Sequence, residues 1–359
     1  MSTTLRAGII GAGSIAQEAH ITAFRSVPDV ELVALCDVNK ERVTEIATER
    51  GIPQTYTDYK RMLKKADLDL VVVATPNALH ARMTIDALKA GAHVLCEKPM
   101  ALTYRDAMAM IDTSQKMLRS LTVGFCLRHS PDAIAAKQKC VSGDLGQVYY
   151  CKASLLRRSG IPGYGSWFTN KDMSGGGAMM DIGCHVTDLS LYLMGHPKPV
   201  AVSATTYANF GPKAIGLGTW GADHAEPPAR CDVDDLATAF IRFEDGLVMT
   251  VEASWAGHGT DGMRIQIFGT EGGIELNPKL FGADAPLRWF TRRESELAEE
   301  PIDLPPSAGN IYDLQAQAWV SAIRSGAAPL VLPEQAAMVS QITEALYKSA
   351  ESGKEVQIR

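Results

Sequence analysis

Leu5-Arg6-Ala7-Gly8-Ile9-Ile10-Gly11-Ala12-Gly13-Ser14-Ile15-Ala16 decides the fold. Its first six residues form a short, mostly apolar run that reads as a buried strand, and a helical pattern follows Gly13 at once. In a strand-to-helix turn of this kind Gly11 permits the tight turn. Gly13 lets backbone N–H groups approach a pyrophosphate at the helix N-terminus. The third fingerprint position is Ala16, a tolerated variant. Gly11, Ala12, Gly13, Ser14 and Ile15 are therefore candidate contacts to a dinucleotide.

Outward from this turn, Glu31-Leu32-Val33-Ala34-Leu35-Cys36-Asp37 reads as a second strand ending in an acid. Asp37 lies 24 residues beyond Gly13, close to where an acidic side chain receives ribose hydroxyls. A carboxylate there repels a 2′-phosphate, so NAD is expected over NADP, with Lys40 and Arg42 near enough to soften the discrimination.

The alternation continues. Ile52–Tyr56 and Asp69–Ala74 read as strands, Ala78–Ala90 as a helix, Ala92–Cys96 as a strand, Tyr104–Leu118 as a helix and Leu121–Phe125 as a sixth strand. This spacing predicts a doubly wound parallel sheet, a Rossmann domain over residues 1–125. In such sheets ligands bind at the carboxyl ends of strands. Thr75, Asn77 and His80 follow one strand end; Glu97, Lys98 and Pro99 follow another. All but Pro99 are candidate cofactor contacts. For Asn77 and His80 the alternative is a helix cap or a solvated first-turn residue. Pro99 restricts Lys98 to extended geometry and so gives its ammonium a direction.

Beyond Phe125 the grammar changes. A linking helix starts at Ser130-Pro131 and ends at Gly143-Asp144-Leu145-Gly146. Strand patterns follow over Gln147–Leu156, Val200–Tyr207, Leu236–Phe243, Leu247–Ala253, Met263–Phe268 and Gly272–Leu276. Glu244-Asp245-Gly246 is a hairpin turn between two of them. Successive strands without helices predict, for residues 126–359, an α+β domain with a large, mostly antiparallel sheet. One open face of that sheet suits a homodimer or homotetramer. Asn209–Arg230 and Pro301–Asn310 read as long loops, and Ile311–Arg324 and Glu334–Ala350 as closing helices.

Composition excludes several classes. A chain of 359 residues exceeds one typical core, and 46% hydrophobic with 21% charged residues is ordinary globular usage. A net charge of −6 gives no electrostatic case for nucleic acid or an anionic membrane. No apolar run approaches the ~20 residues of a membrane helix. A strand pattern is reached by Ala7, which leaves no room for a signal sequence, and a cytoplasmic protein is expected. Seven scattered cysteines, with no C-x-x-C pair, predict no metal site.

The second domain carries Ser174-Gly175-Gly176-Gly177-Ala178-Met179-Met180-Asp181-Ile182-Gly183-Cys184-His185-Val186-Thr187-Asp188. Three glycines let the backbone pass close to something bulky. If the following segment is helical, Asp181, His185 and Asp188 fall at i, i+4 and i+7 on one face. Ile182, Val186, Leu189 and Leu193 form the adjacent apolar stripe. The acid–imidazole–acid row either faces water or serves proton transfer, and its place beside the glycine loop favours the latter.

Taken together these motifs resemble the glucose–fructose oxidoreductase / inositol dehydrogenase / MocA family. The matching pieces are Gly11 to Ala16, Ala74-Thr75-Pro76-Asn77 with His80, Glu97-Lys98-Pro99, and Gly175 through Asp181, His185 and Asp188, together with Phe268-Gly269-Thr270-Glu271-Gly272. The resemblance implies a nicotinamide cofactor, a sugar, cyclitol or related polyol as substrate, and a dimer or tetramer. It also implies that Lys98, Asp181 and His185 are the catalytic trio. Oxidising a secondary alcohol sends a hydride to nicotinamide and a proton to a base. Lysine serves as base only when its pKa is depressed, whereas imidazole titrates near neutrality. Asp181 would orient the hydroxyl or hold the imidazole.

Tyr164, Trp167 and Phe168 lead towards the same motif, as rings for the C–H face of a sugar or as core. Arg128 and His129, after the sixth strand, are further candidates. Asn209–Arg230 maps onto no motif and leaves the sugar unidentified. Two other readings share the scaffold: a ligand-sensing regulator, and an enzyme that cleaves or isomerises glycosides through transient oxidation by tightly held NAD. Intact Lys98, Asp181 and His185 favour an enzyme.

Overall fold

Leu5–Ile10 forms β1, and the chain alternates from there as the apolar runs dictate. In the computed structural model, which describes residues 4–221, 230–282, 286–293, 296–302, 304 and 309–358, two compact units are present. The first comprises Met1–Cys126 with Ala308–Ser340, the second Leu127–Ser307 with Gln341–Arg359.

In the first unit β1 is followed by a π-helical turn (Ala16–His20), α1 (Ile21–Ser26), β2 (Val30–Cys36), α2 (Lys40–Arg50), β3 (Gln54–Tyr56) and α3 (Tyr59–Lys65). Then come β4 (Leu70–Val73), α4 (His80–Lys89), β5 (His93–Cys96), α5 (Tyr104–Met117) and β6 (Leu121–Val123). All neighbours are parallel, in the order β3-β2-β1-β4-β5-β6. The order reverses between β1 and β4, which places the glycine turn at the topological switch point. β4 is buried throughout, Leu70 to Val73, as a strand covered on both faces must be.

The second unit holds α6 (Pro131–Val141), capped by the Ser130 hydroxyl, then β7 (Val148–Leu156), a short α7 (Lys171–Ser174), a π-helical turn (Met179–Gly183) and α8 (Cys184–Met194). Strands β8 (Pro199–Tyr207), β9 (Leu236–Phe243), β10 (Val248–Ser254), β11 (Gly262–Gly269), β12 (Gly273–Leu276), β13 (Leu287–Arg293) and β14 (Glu296–Pro301) follow. The chain closes with α9 (Ile311–Ser325), α10 (Pro333–Ser352) and β15 (Val356–Gln357). The sheet runs β14-β13-β12-β11-β7-β10-β9-β8-β15 and is antiparallel except for the β10–β7 pair. Burial alternates along β9 and β10, which is the signature of a sheet with one covered face.

Two expectations differ. Sequence reading gave all of 126–359 to the second domain, whereas Ala308–Ser340 groups with the first unit. The reason is apolar: Ala316, Trp319 and Val320 of α9 enter the core formed by β1, β2 and α1, with Trp319 edge-on to Phe24 at 6.1 Å. Strands β13 and β14 have no strong alternation in sequence, and Pro301 ends β14 rather than opening a loop. The loop expected over Asn209–Arg230 is present over residues 209–221, where it is stitched down. Gly160 and Ile161 donate to Gly216 O, and Gly163 donates to Trp220 O. Residues 222–229 of that loop, and 303 and 305–308 of the next, lie outside the described residues. Among the described residues no helix is long and apolar enough to cross a membrane, and no cluster of His, Cys, Asp and Glu could hold a metal ion.

Candidate functional site

In the first unit the glycine turn is sterically fixed. Gly11 has φ +100°, and a Cβ there would overlap the carbonyl of Ala74 at the end of β4. Asp37, just past β2, accepts the Ala12 N–H at 2.9 Å with one carboxylate oxygen and the Asn39 N–H at 2.9 Å with the other. The acid is thereby held against the turn. Thr75 carries a buried hydroxyl oxygen without a partner among the described residues. A glycine cradle, a carboxylate at its rim and an unsatisfied hydroxyl beyond the next strand fit a dinucleotide such as NAD.

At the end of β5, Glu97 is buried and Lys98 half-buried, and the Lys98–Pro99 peptide is cis. Glu97 is held from two sides: His20 Nε2 lies 2.7 Å from one carboxylate oxygen, and the Lys98 N–H donates to the other at 3.0 Å. Burial alone would raise the Glu97 carboxyl, but His20 and the Lys98 ammonium hold it below its usual range. Gly124 has no room for a side chain, since a Cβ would sit 2.8 Å from the same carboxylate.

His80, expected as a cofactor contact, faces the backbone. Its ring is buried, with Nδ1 2.8 Å from Pro99 O and Nε2 2.8 Å from Thr75 O, so each nitrogen lies against a backbone carbonyl. It braces the ends of β4 and β5, and burial lowers its pKa. Asn77 is buried beside it, in the single turn Asn77–Leu79.

In the second unit the bulky neighbour of the three glycines is the chain itself. A Cβ on Gly177 would overlap Asp234 O, and one on Gly176 would overlap the Tyr347 hydroxyl. Asp234 accepts the Gly177 N–H at 2.8 Å and the Tyr347 hydroxyl at 2.9 Å, while its carbonyl accepts the Ala178 N–H at 3.1 Å. Burial raises the pKa of both Asp234 and Tyr347. Asp181 and His185 are half-buried beyond this cradle.

The single-faced row does not extend to Asp188. Residues Met179–Gly183 are π-helical, and i→i+5 bonding breaks the α spacing between Asp181 and Asp188. Asp188 is buried and accepts from Arg128 Nε at 2.9 Å and Nη2 at 2.6 Å. Burial raises the Asp188 carboxyl, with the guanidinium working against it.

Arg128, expected as a substrate contact, is fully buried over the Tyr192 ring and does not present its guanidinium to a ligand. His129 is also buried, which lowers its pKa to about 4. Tyr164 and Trp167 are half-buried, and Phe168 is core: Trp167 stacks on it at 3.7 Å and Trp220 meets it edge-on at 5.2 Å.

Two residues escaped the sequence reading. Asp234 precedes β9 in the acidic run Asp232-Val233-Asp234-Asp235, which signals only a loop. Trp255 follows β10, reads as core, and donates its indole N–H to Asp181 Oδ2 at 2.9 Å.

Comparison with known proteins is consistent along the chain. Residues 5–125 match the profile described as "Oxidoreductase family, NAD-binding Rossmann fold", and residues 134–275 match the GFO/IDH/MocA C-terminal domain. The sequence is 32% identical to D-glucoside 3-dehydrogenase of Escherichia coli, over 99% of this chain and 98% of that protein. It is 32% identical to levoglucosan dehydrogenase of Pseudarthrobacter phenanthrenivorans, over 76% and 73% of the two chains. A solved levoglucosan dehydrogenase in complex with NADH superposes with a TM-score of 0.85 at 26% identity, covering 99% of each chain.

Proposed function

The chain belongs to the GFO/IDH/MocA family of NAD-binding oxidoreductases, and we propose that it oxidises a secondary hydroxyl of a glucoside-type sugar, passing the hydride to NAD. Lys98 carries the reading: it is a half-buried lysine at a β-strand end in the unit that holds the glycine turn and Asp37. Similarity over nearly the full length to D-glucoside 3-dehydrogenase, and over three quarters of the chain to levoglucosan dehydrogenase, supports pyranosides as substrates.

Bound NAD supplies the hydride acceptor. Gly11 to Ile15 would receive its pyrophosphate, Asp37 its ribose hydroxyls and Thr75 a polar group nearer the reacting end. As the carbinol C–H leaves with its electron pair, the O–H proton passes to Lys98 or His185 and the C=O forms. Asp181 accepts a hydrogen bond from the substrate hydroxyl or holds the imidazole. Tyr164 and Trp167 offer aromatic faces to the sugar C–H groups. Seven free cysteines suit a reducing cytoplasm, and the open face of the nine-stranded sheet suits a homodimer or homotetramer.

The test is NADH formation from a panel of methyl β-D-glucoside, levoglucosan, D-xylose and myo-inositol. Turnover of one of the pyranosides is expected to exceed that of myo-inositol. Absence of NADH with every member would overturn the proposal.

A further inference from the structure

Trp255 is the largest fully buried side chain of the described residues, yet its one polar atom is directed at a half-buried carboxylate. Its backbone is anchored: the Trp255 N–H donates to Asp235 O at 2.8 Å, and Asp235 accepts the Phe210 and Gly211 N–H groups at 2.6 and 3.0 Å. The residue before it in that anchor, Asp234, is the one that cradles Gly177 and Ala178. The approach to β9 and the exit of β10 thus fix both ends of the segment from Gly177 to Asp181. The π-helical turn carrying Asp181 packs directly on β10.

We infer that Trp255 is a positioning residue, which sets the direction of the Asp181 carboxylate through the Nε1–H···Oδ2 bond. An indole N–H donates and cannot accept, so in this bond Oδ2 is the acceptor and the carboxylate is fixed by one of its two oxygens. A bond from a rigid, buried ring also removes the rotational freedom that a carboxylate on a short side chain otherwise keeps. Phenylalanine at this position would fill most of the same volume and reach no carboxylate. The identity of the residue is thus explained by the hydrogen bond and not by packing alone. This inference rests on the reading that Asp181 serves the oxidation of a sugar hydroxyl.

Two measurements on the full-length protein test it. In ¹H–¹⁵N spectra of the protein without ligand, the indole resonance assigned by its loss in Trp255→Phe should move in Asp181→Asn, and not in Lys98→Met. An indole signal unaffected by Asp181→Asn would overturn the inference whatever the substrate.

With the panel sugar that gives the fastest NADH formation, Trp255→Phe should lower kcat about 10–100-fold, the size of a lost charge-assisted hydrogen bond, while Kd for NADH is unchanged. In the Asp181→Asn background the same change should have little further effect. Equal losses in both backgrounds would mean that Trp255 acts only through packing, and the inference fails. Wild-type turnover in Asp181→Asn would instead overturn the reading of Asp181 itself.

Discussion

In the proposed reaction Lys98 is the residue on which the chemistry turns. Lys98→Met keeps the length and apolar stem but removes the ammonium. Gly11 and Asp37 remain to hold the dinucleotide, so NADH should still bind. Turnover should fall about 10²–10⁴-fold, the usual share of a positioned acid or base. Hydride transfer at near wild-type rate would move the proton to His185. At this scale the sequence was legible where chemistry depends on local spacing. The Gly11 turn and Asp37 could be placed because strand, turn and helix are contiguous. His80 could not, because its role depends on two carbonyls, Thr75 O and Pro99 O, that fold back onto it. Trp255 and Asp181 lie 74 residues apart, and no local pattern links them.

Between elements, the Arg128–Asp188 pair joins the segment before α6 to α8, and its ions are wholly buried. Taking one away leaves the other charged and unpaired in a low-dielectric interior. Arg128→Met should therefore cost about 3–5 kcal/mol of stability, read as a fall in the urea midpoint. Arg128→Met combined with Asp188→Leu should recover most of it, since two apolar side chains leave no orphan charge. If the single variant is as stable as the wild type, the pair carries no such weight. Elements with strong periodicity were legible: β9 and its hairpin to β10 fall where alternation and Glu244-Asp245-Gly246 put them. The break in helical spacing at Met179–Gly183 was not, because a π-helical turn has no composition of its own.

Across the whole molecule, buried imidazoles should shape the pH dependence of stability. Burial, followed by Arg128, lowers His129 to about 4, and the same causes with Lys137 lower His196 to about 3. An unfolded histidine titrates near ~6.5, so on acidification the unfolded chain takes up these protons first. Their contribution is therefore intact above pH ~6.5 and is lost as pH falls towards the folded values. Urea midpoints should decline from pH 7 to pH 4, and His129→Asn should make that decline shallower; identical slopes would contradict the assignment.

The two-unit plan was legible from the change in grammar after Phe125. The return of α9 to the first unit was not, because the packing of Trp319 on Phe24 joins residues too distant for any pattern to connect. The proposed reaction moves a hydride from a sugar carbon to nicotinamide. It is tested most directly by incubating the protein with NAD and methyl β-D-glucoside deuterated at every ring carbon, then examining the cofactor by mass spectrometry. Reduced cofactor carrying one deuterium is expected, formed more slowly than from the unlabelled sugar. Cofactor recovered without deuterium while the sugar is consumed would contradict it.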